Sequence, residues 1–267
     1  MIERKVNEPL TGRKWTFKMF PLSFEEMVDH TNTFAEKDNL ENRMLFGYYP
    51  DVVNNPGQER EILNEIVNEN LYKDIYKWEE IRKPVQLENL ARALAFQVGS
   101  QVKTTEIAQL VGLTNATTEK YIRLLEQSYV IFRLGSFSRN LRNELKASDK
   151  YYFYDNGIRN ALIGDFTPVA LRQDVGHLFE NFIVAELAKK YMPSAVGYFA
   201  YFWRTKNQQE IDFILERDGK LKAYEFKWNP KTKAKLPKSF ADAYPNAEFT
   251  VVSRDDFEKI LLNEDES

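Results

Sequence analysis

Two carboxylates and a lysine with the spacing D-x12-E-x-K are the residues of this sequence best suited to chemistry. Asp212 lies in the apolar run 210–215, and Glu225 and Lys227 lie in the run 224–228. Both runs are predicted strands, and because side chains alternate along a strand, Glu225 and Lys227 project from one face. Carboxylates on neighbouring strands can hold Mg²⁺, and an adjacent lysine can orient a water or steady charge on a phosphate. The spacing therefore predicts a metal-dependent site for phosphodiester hydrolysis.

The apolar neighbours of Asp212 favour this interpretation. Asp212 interrupts a run that is apolar enough for a central strand, where an unpaired charge is costly. We therefore predict catalytic roles for Asp212, Glu225 and Lys227, with the two acids as metal ligands. The alternative is that the acids lie on the strand surface and are neutralised by the seven lysines between residues 220 and 238.

The composition limits which other sites the chain can build. Its 267 residues are 43% hydrophobic, enough for about two domains with real cores. It has no cysteine and only two histidines, so disulfides and thiolate zinc sites are excluded and any metal site must consist of oxygen ligands. It lacks a signal peptide and any apolar run of roughly 18 to 20 residues, so we expect a cytoplasmic protein without membrane contact.

The segment 104–134 has the pattern of a helix-turn-helix followed by a β wing. A short helix from Thr104 and a second helix from Ala116 to Ser128 flank a tight turn, and a strand-like run follows. Three polar residues at the start of the second helix could contact phosphates or base edges: Thr117, Thr118 and Lys120. Alternatively, they are ordinary N-cap residues and the module connects proteins.

Three regions of different character follow one another along the chain. Residues 1–60 are turn-rich, residues 61–150 are mainly helical, and residues 151–267 alternate strand and helix. We expect an α/β fold, α+β over the whole chain, with a helical winged-helix domain before a mixed-sheet domain.

Several motifs together resemble a large family of bacterial and archaeal AAA-type ATPases. They include the runs that begin at Leu10, Pro21, Gly47 and Tyr152, and the segment Gly176-His-Leu-Phe-Glu180-Asn before the two acidic strands. The resemblance covers nearly the whole chain. It implies an ATPase module, a winged helix and then a domain of unknown function with the restriction-endonuclease-like, or PD-(D/E)XK, fold.

The phosphate-binding motif of such ATPases is absent from this sequence. No G-x-x-x-x-G-K-[ST] stretch occurs, so we expect neither an ATP site nor ATPase activity in this chain. By resemblance, residues 1–60 are a remnant and linker after a missing ATPase module, 61–150 the winged-helix domain and 151–267 the nuclease-like domain. The expected partners are an ATPase module or a second copy of the chain.

A predicted helix from Asp174 to Tyr191 precedes the strands of the nuclease-like half. Glu180 lies beside its apolar stripe, whereas Glu186 falls toward the opposite side. The resemblance implies that Glu180 joins Asp212 and Glu225 as a metal ligand. The alternative is an ion pair with Arg204 or a solvated edge.

Basic residues could follow the backbone of a nucleic acid, which we expect to be DNA. They are Arg139 and Arg142 after the wing, and Lys231, Lys233 and Lys235 after the second acidic strand. Such binding is salt-sensitive and weakly sequence-selective. The resulting hypothesis is a Mg²⁺-dependent nuclease-like protein that acts on or binds DNA. The alternative is a catalytically inactive DNA-binding or protein-interaction module of an ATPase machine.

Overall fold

The computed structural model describes residues 18–71, 81, 83–138, 148–192 and 197–262. The first part is helical and the second carries most of a mixed sheet, which confirms the α/β expectation. The helices are α1 (Phe24–His30), α2 (Thr33–Asp38), α3 (Leu40–Phe46), α4 (Pro50–Asn54), α5 (Glu59–Glu65), α6 (Pro84–Phe96), α7 (Thr104–Leu110), α8 (Asn115–Gln127), α9 (Asn156–Ile163), α10 (Val175–Tyr191), α11 (Lys238–Ala243) and α12 (Glu258–Leu262). A π-helical segment (Ile66–Leu71) follows α5, and a 3-10 turn (Val169–Leu171) precedes α10. The strands are β1 (Gln101–Val102), β2 (Ile131–Ser136), β3 (Asp149–Phe153), β4 (Tyr198–Arg204), β5 (Glu210–Arg217), β6 (Lys220–Lys227) and β7 (Glu248–Ser253).

In the described part of the chain, the seven strands form one sheet in the order β1-β3-β2-β4-β5-β6-β7. Neighbouring strands are antiparallel, except that β2 runs parallel to β4 and β6 runs parallel to β7. The contact between β2 and β4 joins the helix-turn-helix half to the second half. Lys150 on β3 lies 2.6 Å from Glu210 on β5.

A β-bulge interrupts β5 at Asp212. Tyr201 pairs with Ile214 and Trp203 with Ile211, so two residues of β5 lie opposite one residue of β4. The extra residue breaks the regular alternation, and Ile211 and Ile214 consequently pack in the same hydrophobic cluster. Bulges re-aim a side chain, and here the carboxylate of Asp212 is turned toward β6.

Helices α7 and α8 and the strands β2 and β3 have the predicted order of a helix-turn-helix and a following hairpin. Helix α8 begins at Asn115, one residue before the predicted start, and Thr114 caps it by accepting the Thr117 amide at 3.2 Å. Apolar side chains of α8 are buried, among them Tyr121, Leu124 and Leu125. The arrangement positions β3 against the second half of the chain. The assignment of α7, α8, β2 and β3 as a winged helix stays a prediction.

Helix α10 is buried along most of its length and carries three buried polar residues, Glu180, Asn181 and Glu186. Glu186 is buried. It accepts hydrogen bonds from the Phe24 amide and from Lys189 Nζ, both at 2.7 Å. Neither α10 nor any other helix in the described ranges is both long and apolar enough to cross a membrane. Packing on several sides fixes the backbone that carries Glu180.

An arginine–aspartate network fixes the start of α10. Asp174, the N-cap residue, pairs with Arg159 at 2.8 Å and with Arg172 at 2.7 Å, and both arginine side chains are almost completely buried. Burial favours a higher pKa for Asp174, but hydrogen bonds and charges of the two arginines outweigh it and lower the pKa to about 2. We expect Asp174→Asn to reduce the free energy of unfolding at neutral pH by about 2 kcal/mol, because it removes the charge that compensates two buried guanidinium groups.

The pH dependence of this effect follows from the direction of the shift. Because the folded pKa lies below the unfolded value of about 3.9, the stabilisation is present above that value and is lost as the pH falls toward 2. Urea unfolding at neutral and acidic pH should show the difference between wild type and Asp174→Asn shrinking on acidification. Asp165→Asn is a matched control, since Asp165 pairs with Arg172 at 3.3 Å but is more exposed. An equal loss at both pH values would contradict the assignment.

Candidate active site

Glu225 and Lys227 lie side by side on β6, as their alternation predicted. Lys227 Nζ donates to Glu225 Oε1 at 2.7 Å, and the two side chains are 30% and 15% exposed, respectively. Strand β6 pairs with β7 at both positions, opposite Ser253 and Val251. The backbone beneath the pair is therefore fixed while the side chains remain partly open to solvent.

Asp212 lies on the neighbouring strand, next to the Glu225–Lys227 pair. The backbone pairing of β5 with β6 extends to Phe213 and Tyr224. One step further, Asp212 Oδ2 accepts the Phe226 amide at 2.8 Å, and the residue is only 7% exposed. The bulge and this hydrogen bond together hold a buried carboxylate beside the E-x-K segment.

Glu180 approaches the site from α10, but Arg204 is not its partner. Glu180 Oε1 accepts a hydrogen bond from the Tyr152 hydroxyl at 2.6 Å and lies 3.2 Å from Lys150 Nζ. Arg204 lies instead at 3.5 Å from Glu210 on β5. Glu180 is thus a buried, paired acid, and its partners come from β3.

Lys150 belongs to the site and was missed by the sequence reasoning. Its Nζ lies 2.6 Å from Glu210 Oε1 as well as near Glu180, and its side chain is 1% exposed. The available signal was weak: a lysine two positions before a tyrosine in the apolar strand Lys150-Tyr-Tyr-Phe153. Strand alternation places Lys150 and Tyr152 on one face, but nothing in the spacing pairs that face with α10.

The charges of these residues influence one another. Burial raises the pKa of Asp212 well above its usual value, and the negative charges of Glu180 and Glu225 raise it further, against the opposing effect of Lys150. Burial favours a lower pKa for Lys227, but its hydrogen bond to Glu225 and the charges of Asp212, Glu225 and Glu180 outweigh it, so the pKa is raised. The helix and the two strands therefore bring the three predicted acids and Lys227 into one electrostatic cluster.

The donor chemistry of this cluster suits a hard divalent cation. Asp212 and Glu225 offer carboxylate oxygens, which Mg²⁺ prefers. In the ranges that the structure describes, no set of three or more aspartate, glutamate or histidine side chains is arranged to hold a metal ion. Within the cluster, Lys150 and Tyr152 already donate to Glu180 Oε1. The residue types of Asp212 and Glu225 therefore suit a cation, and Glu180 lies in the same electrostatic cluster.

The residues predicted to contact nucleic acid differ in their exposure to solvent. Thr118 is fully buried and its hydroxyl donates to the Thr114 carbonyl at 3.0 Å, whereas Thr117 and Lys120 are half-buried. The Thr117 hydroxyl lies 2.9 Å from that of Thr114, an arrangement that suits the N-cap alternative. Arg139 and Arg142 lie outside the described residues. The remaining three are exposed on the segment between β6 and α11: Lys231, Lys233 and Lys235.

Comparison with known proteins gives two domain matches. Residues 37–168 match a domain of unknown function, DUF8612, and residues 175–263 match another, DUF4143. Each match covers under half of the chain. Lys150 falls in the first match, whereas Glu180, Asp212 and Glu225 fall in the second.

The similar curated proteins are also uncharacterized. One from Haemophilus influenzae is 26% identical over 220 residues, which cover 78% of this chain and 52% of that protein. Uncharacterized proteins of Mycobacterium bovis and Mycobacterium tuberculosis are each 26% identical over 136 residues, 50% of this chain and 30% of theirs. The chain thus spans about half or less of the length of these relatives. No solved structure matches it.

Proposed function

We propose that this protein is a Mg²⁺-dependent phosphodiester hydrolase of the restriction-endonuclease-like type, acting on DNA. The observation that carries the proposal is the position of Asp212. Its buried carboxylate is held at a bulge by the Phe226 amide, between the residues of the E-x-K segment. Bulges are common next to active sites because they re-aim single side chains. A helix that contributes Glu180 precedes these strands, as the resemblance implies.

The balance of charge supports binding of a cation. The cluster contains four carboxylates, those of Glu180, Glu210, Asp212 and Glu225, whereas its cations are Lys150, Lys227 and Arg204. Buried carboxylates are costly unless they are compensated. Burial and the charges of Glu180 and Glu225 raise the pKa of Asp212, and a divalent cation beside Asp212 and Glu225 would compensate this negative charge.

The residues of the site then have distinct roles in hydrolysis. Asp212 and Glu225 would hold the cation, which when bound would supply a Lewis acid for the scissile phosphate and for water. Lys227, fixed by Glu225, orients the attacking water and stabilises the charge that develops on the phosphate. The exposed lysines that follow β6 contact the phosphate backbone, so binding depends on salt.

We also propose a winged-helix role for α7, α8 and the β2–β3 hairpin, together with an ATPase partner. The helix-turn-helix order of these elements supports the first proposal. DUF4143 is often found with AAA-type ATPases, which supports the second. A partner ATPase would act through other surfaces than the acid cluster.

A plasmid cleavage assay tests the hydrolase. We expect nicking of supercoiled DNA in Mg²⁺ that stops when EDTA is added. The rate should fall by about 10²-fold in Lys227→Ala, because the loss of one group that stabilises charge in the transition state typically costs at least that much. Lys220→Ala is the matched control, since Lys220 is an exposed lysine at the other end of the same strand. Cleavage that survives in Lys227→Ala at the wild-type rate would contradict the proposed role.

An inactive DNA-binding or protein-interaction module is the second candidate. The observation that favours it is the pairing of Glu180 with Lys150 and of Glu225 with Lys227, since both acids already have a counter-charge. Salt-sensitive DNA binding without Mg²⁺-dependent cleavage would identify a binding module. The absence of both at low salt would point to protein partners.

A further inference from the structure

Lys150 enters the acid cluster from the half of the chain that does not carry the acids. It lies on β3, and its side chain is 1% exposed. Its Nζ lies 2.6 Å from Glu210 Oε1, 3.2 Å from Glu180 Oε1 and 5.5 Å above the ring of Phe202. A lysine buried to this degree cannot contact a nucleic acid on the surface, so its charge acts on the interior of the site.

The oxygen of Glu180 that faces Lys150 is enclosed by other residues of the same half. Tyr152 donates its hydroxyl to Glu180 Oε1 at 2.6 Å. A Cβ atom at Gly99 would lie 3.1 Å from this oxygen, so glycine leaves the room that the carboxylate needs. The other oxygen, Oε2, lies 3.9 Å from the exposed His177. Residues of the first half of the chain therefore hold Oε1 of Glu180, whereas Oε2 lies on the side of the exposed His177.

We propose that Lys150 is a positioning residue of the acid site, a fixed internal cation that holds Glu180 and Glu210 together and thereby sets how tightly the site binds a divalent metal ion. This inference rests on the proposed function, because it takes the location of the metal site from it. It also makes the site composite, because residues 37–168 supply Lys150 while residues 175–263 supply the acids. Neither matched domain carries the complete set.

The electrostatic argument has two parts. Burial favours a lower pKa for Lys150, but the charges of Glu180, Glu210 and Asp212 outweigh it, and the ammonium remains protonated. A permanent positive charge next to these carboxylates weakens their attraction for a second cation, and it engages one oxygen of Glu180 directly. Removing the charge while retaining the volume of the side chain should therefore tighten metal binding.

The test compares the full chain with its Lys150→Met variant. We expect Mn²⁺ binding, measured by isothermal titration calorimetry, to become at least about tenfold tighter in the variant, because a unit charge within a few ångströms is worth more than one decade of affinity at the effective dielectric of a protein. Tyr152 still donates to Glu180 in the variant and keeps its carboxylate oriented. Thermal unfolding in EDTA should show a lower midpoint for Lys150→Met, which Mn²⁺ restores by binding only the folded state.

Lys189→Met is the matched control. Lys189 is also a buried lysine, 5% exposed, and pairs at 2.7 Å with Glu186 on the helix that carries Glu180. It lies apart from the acid cluster, so its substitution should lower the midpoint of unfolding without recovery in Mn²⁺. Recovery of both variants to the same degree would mean that Mn²⁺ acts non-specifically and would overturn the inference.

The outcomes separate this inference from the proposed function. Tighter Mn²⁺ binding by Lys150→Met supports the inference even if wild type cuts no DNA. Unchanged or weaker Mn²⁺ binding overturns it even if wild type is an active nuclease. If Lys150→Met is unfolded in EDTA, recovery of the wild-type circular dichroism spectrum on addition of Mn²⁺ supports the inference, and a chain that stays unfolded at every Mn²⁺ concentration overturns it.

Discussion

Asp212→Asn is expected to reduce Mg²⁺-dependent DNA cleavage by roughly 10²- to 10³-fold while leaving the fold intact. In the proposed mechanism Asp212 is one of the two carboxylates that hold the cation. Its loss should be large, since metal-ion charge stabilisation is worth several kcal/mol and each tenfold in rate corresponds to about 1.4 kcal/mol. The fold should survive because the asparagine oxygen can still accept the Phe226 amide. Single-turnover cleavage rates at saturating Mg²⁺ and far-ultraviolet circular dichroism measure the two effects.

Asp218→Asn provides the matched control for this substitution. Asp218 is an 81% exposed aspartate at the turn between the same two strands, and its positive φ of 51° is a conformation that asparagine tolerates. We expect wild-type cleavage from this variant. Equal cleavage by Asp212→Asn and wild type would remove Asp212 from the mechanism, and with it the proposed hydrolase site.

Gly157→Ala is expected to cost about 3 kcal/mol or more of folding free energy, because overpacking against backbone atoms cannot be relieved by a rotamer change. A Cβ atom at this position would lie 2.2 Å from the Phe46 carbonyl oxygen and 2.9 Å from Asp155 Oδ1. Neither neighbour is free to move. Asp155 is buried and accepts the Tyr48 amide at 2.7 Å and the Ile158 amide at 3.1 Å.

Urea unfolding monitored by circular dichroism measures this cost, and Gly176→Ala is the control. Gly176 lies in α10, and a Cβ atom there meets no atom within 4 Å. Alanine at a helical position of this kind is expected to be neutral or stabilising by up to about 1 kcal/mol. A loss in Gly157→Ala no larger than the effect in Gly176→Ala would mean that α3 and α9 can separate at little cost.

The close packing of α9 on α3 explains why some of the segments that carry the family resemblance have the residues they do. The runs that begin at Gly47 and Tyr152 are far apart in sequence, yet Tyr48 and Asp155 are joined by a buried hydrogen bond. Gly47 itself has a φ of 72°, and a Cβ atom there would lie within 2.4 Å of the Asp155 carboxylate. Tyr48 and Asp155 thus fix the junction of the first helices with α9, whereas Tyr152 of the second run donates its hydroxyl to Glu180 in the acid site.

The sequence by itself determined the features of this protein that depend on local backbone geometry. The alternation of a strand places Glu225 beside Lys227, and a capping box of Ser23 and Glu26 starts α1. Such patterns are local, because every residue involved lies within a few positions of its partner. The type and order of the helices and strands in the second half follow from the same periodicity.

Only the tertiary structure decided which charges meet in the acid cluster. Lys150 and Glu180 are 30 residues apart, and their contact depends on the packing of α10 directly against β3. Arg204 could have paired with Glu180 but lies against Glu210, and the bulge at Asp212 reverses the alternation that a regular strand would have. Sequence spacing does not encode these contacts, because they depend on how the strands pair and on where α10 packs, and both are settled by burial of apolar surface over the whole chain.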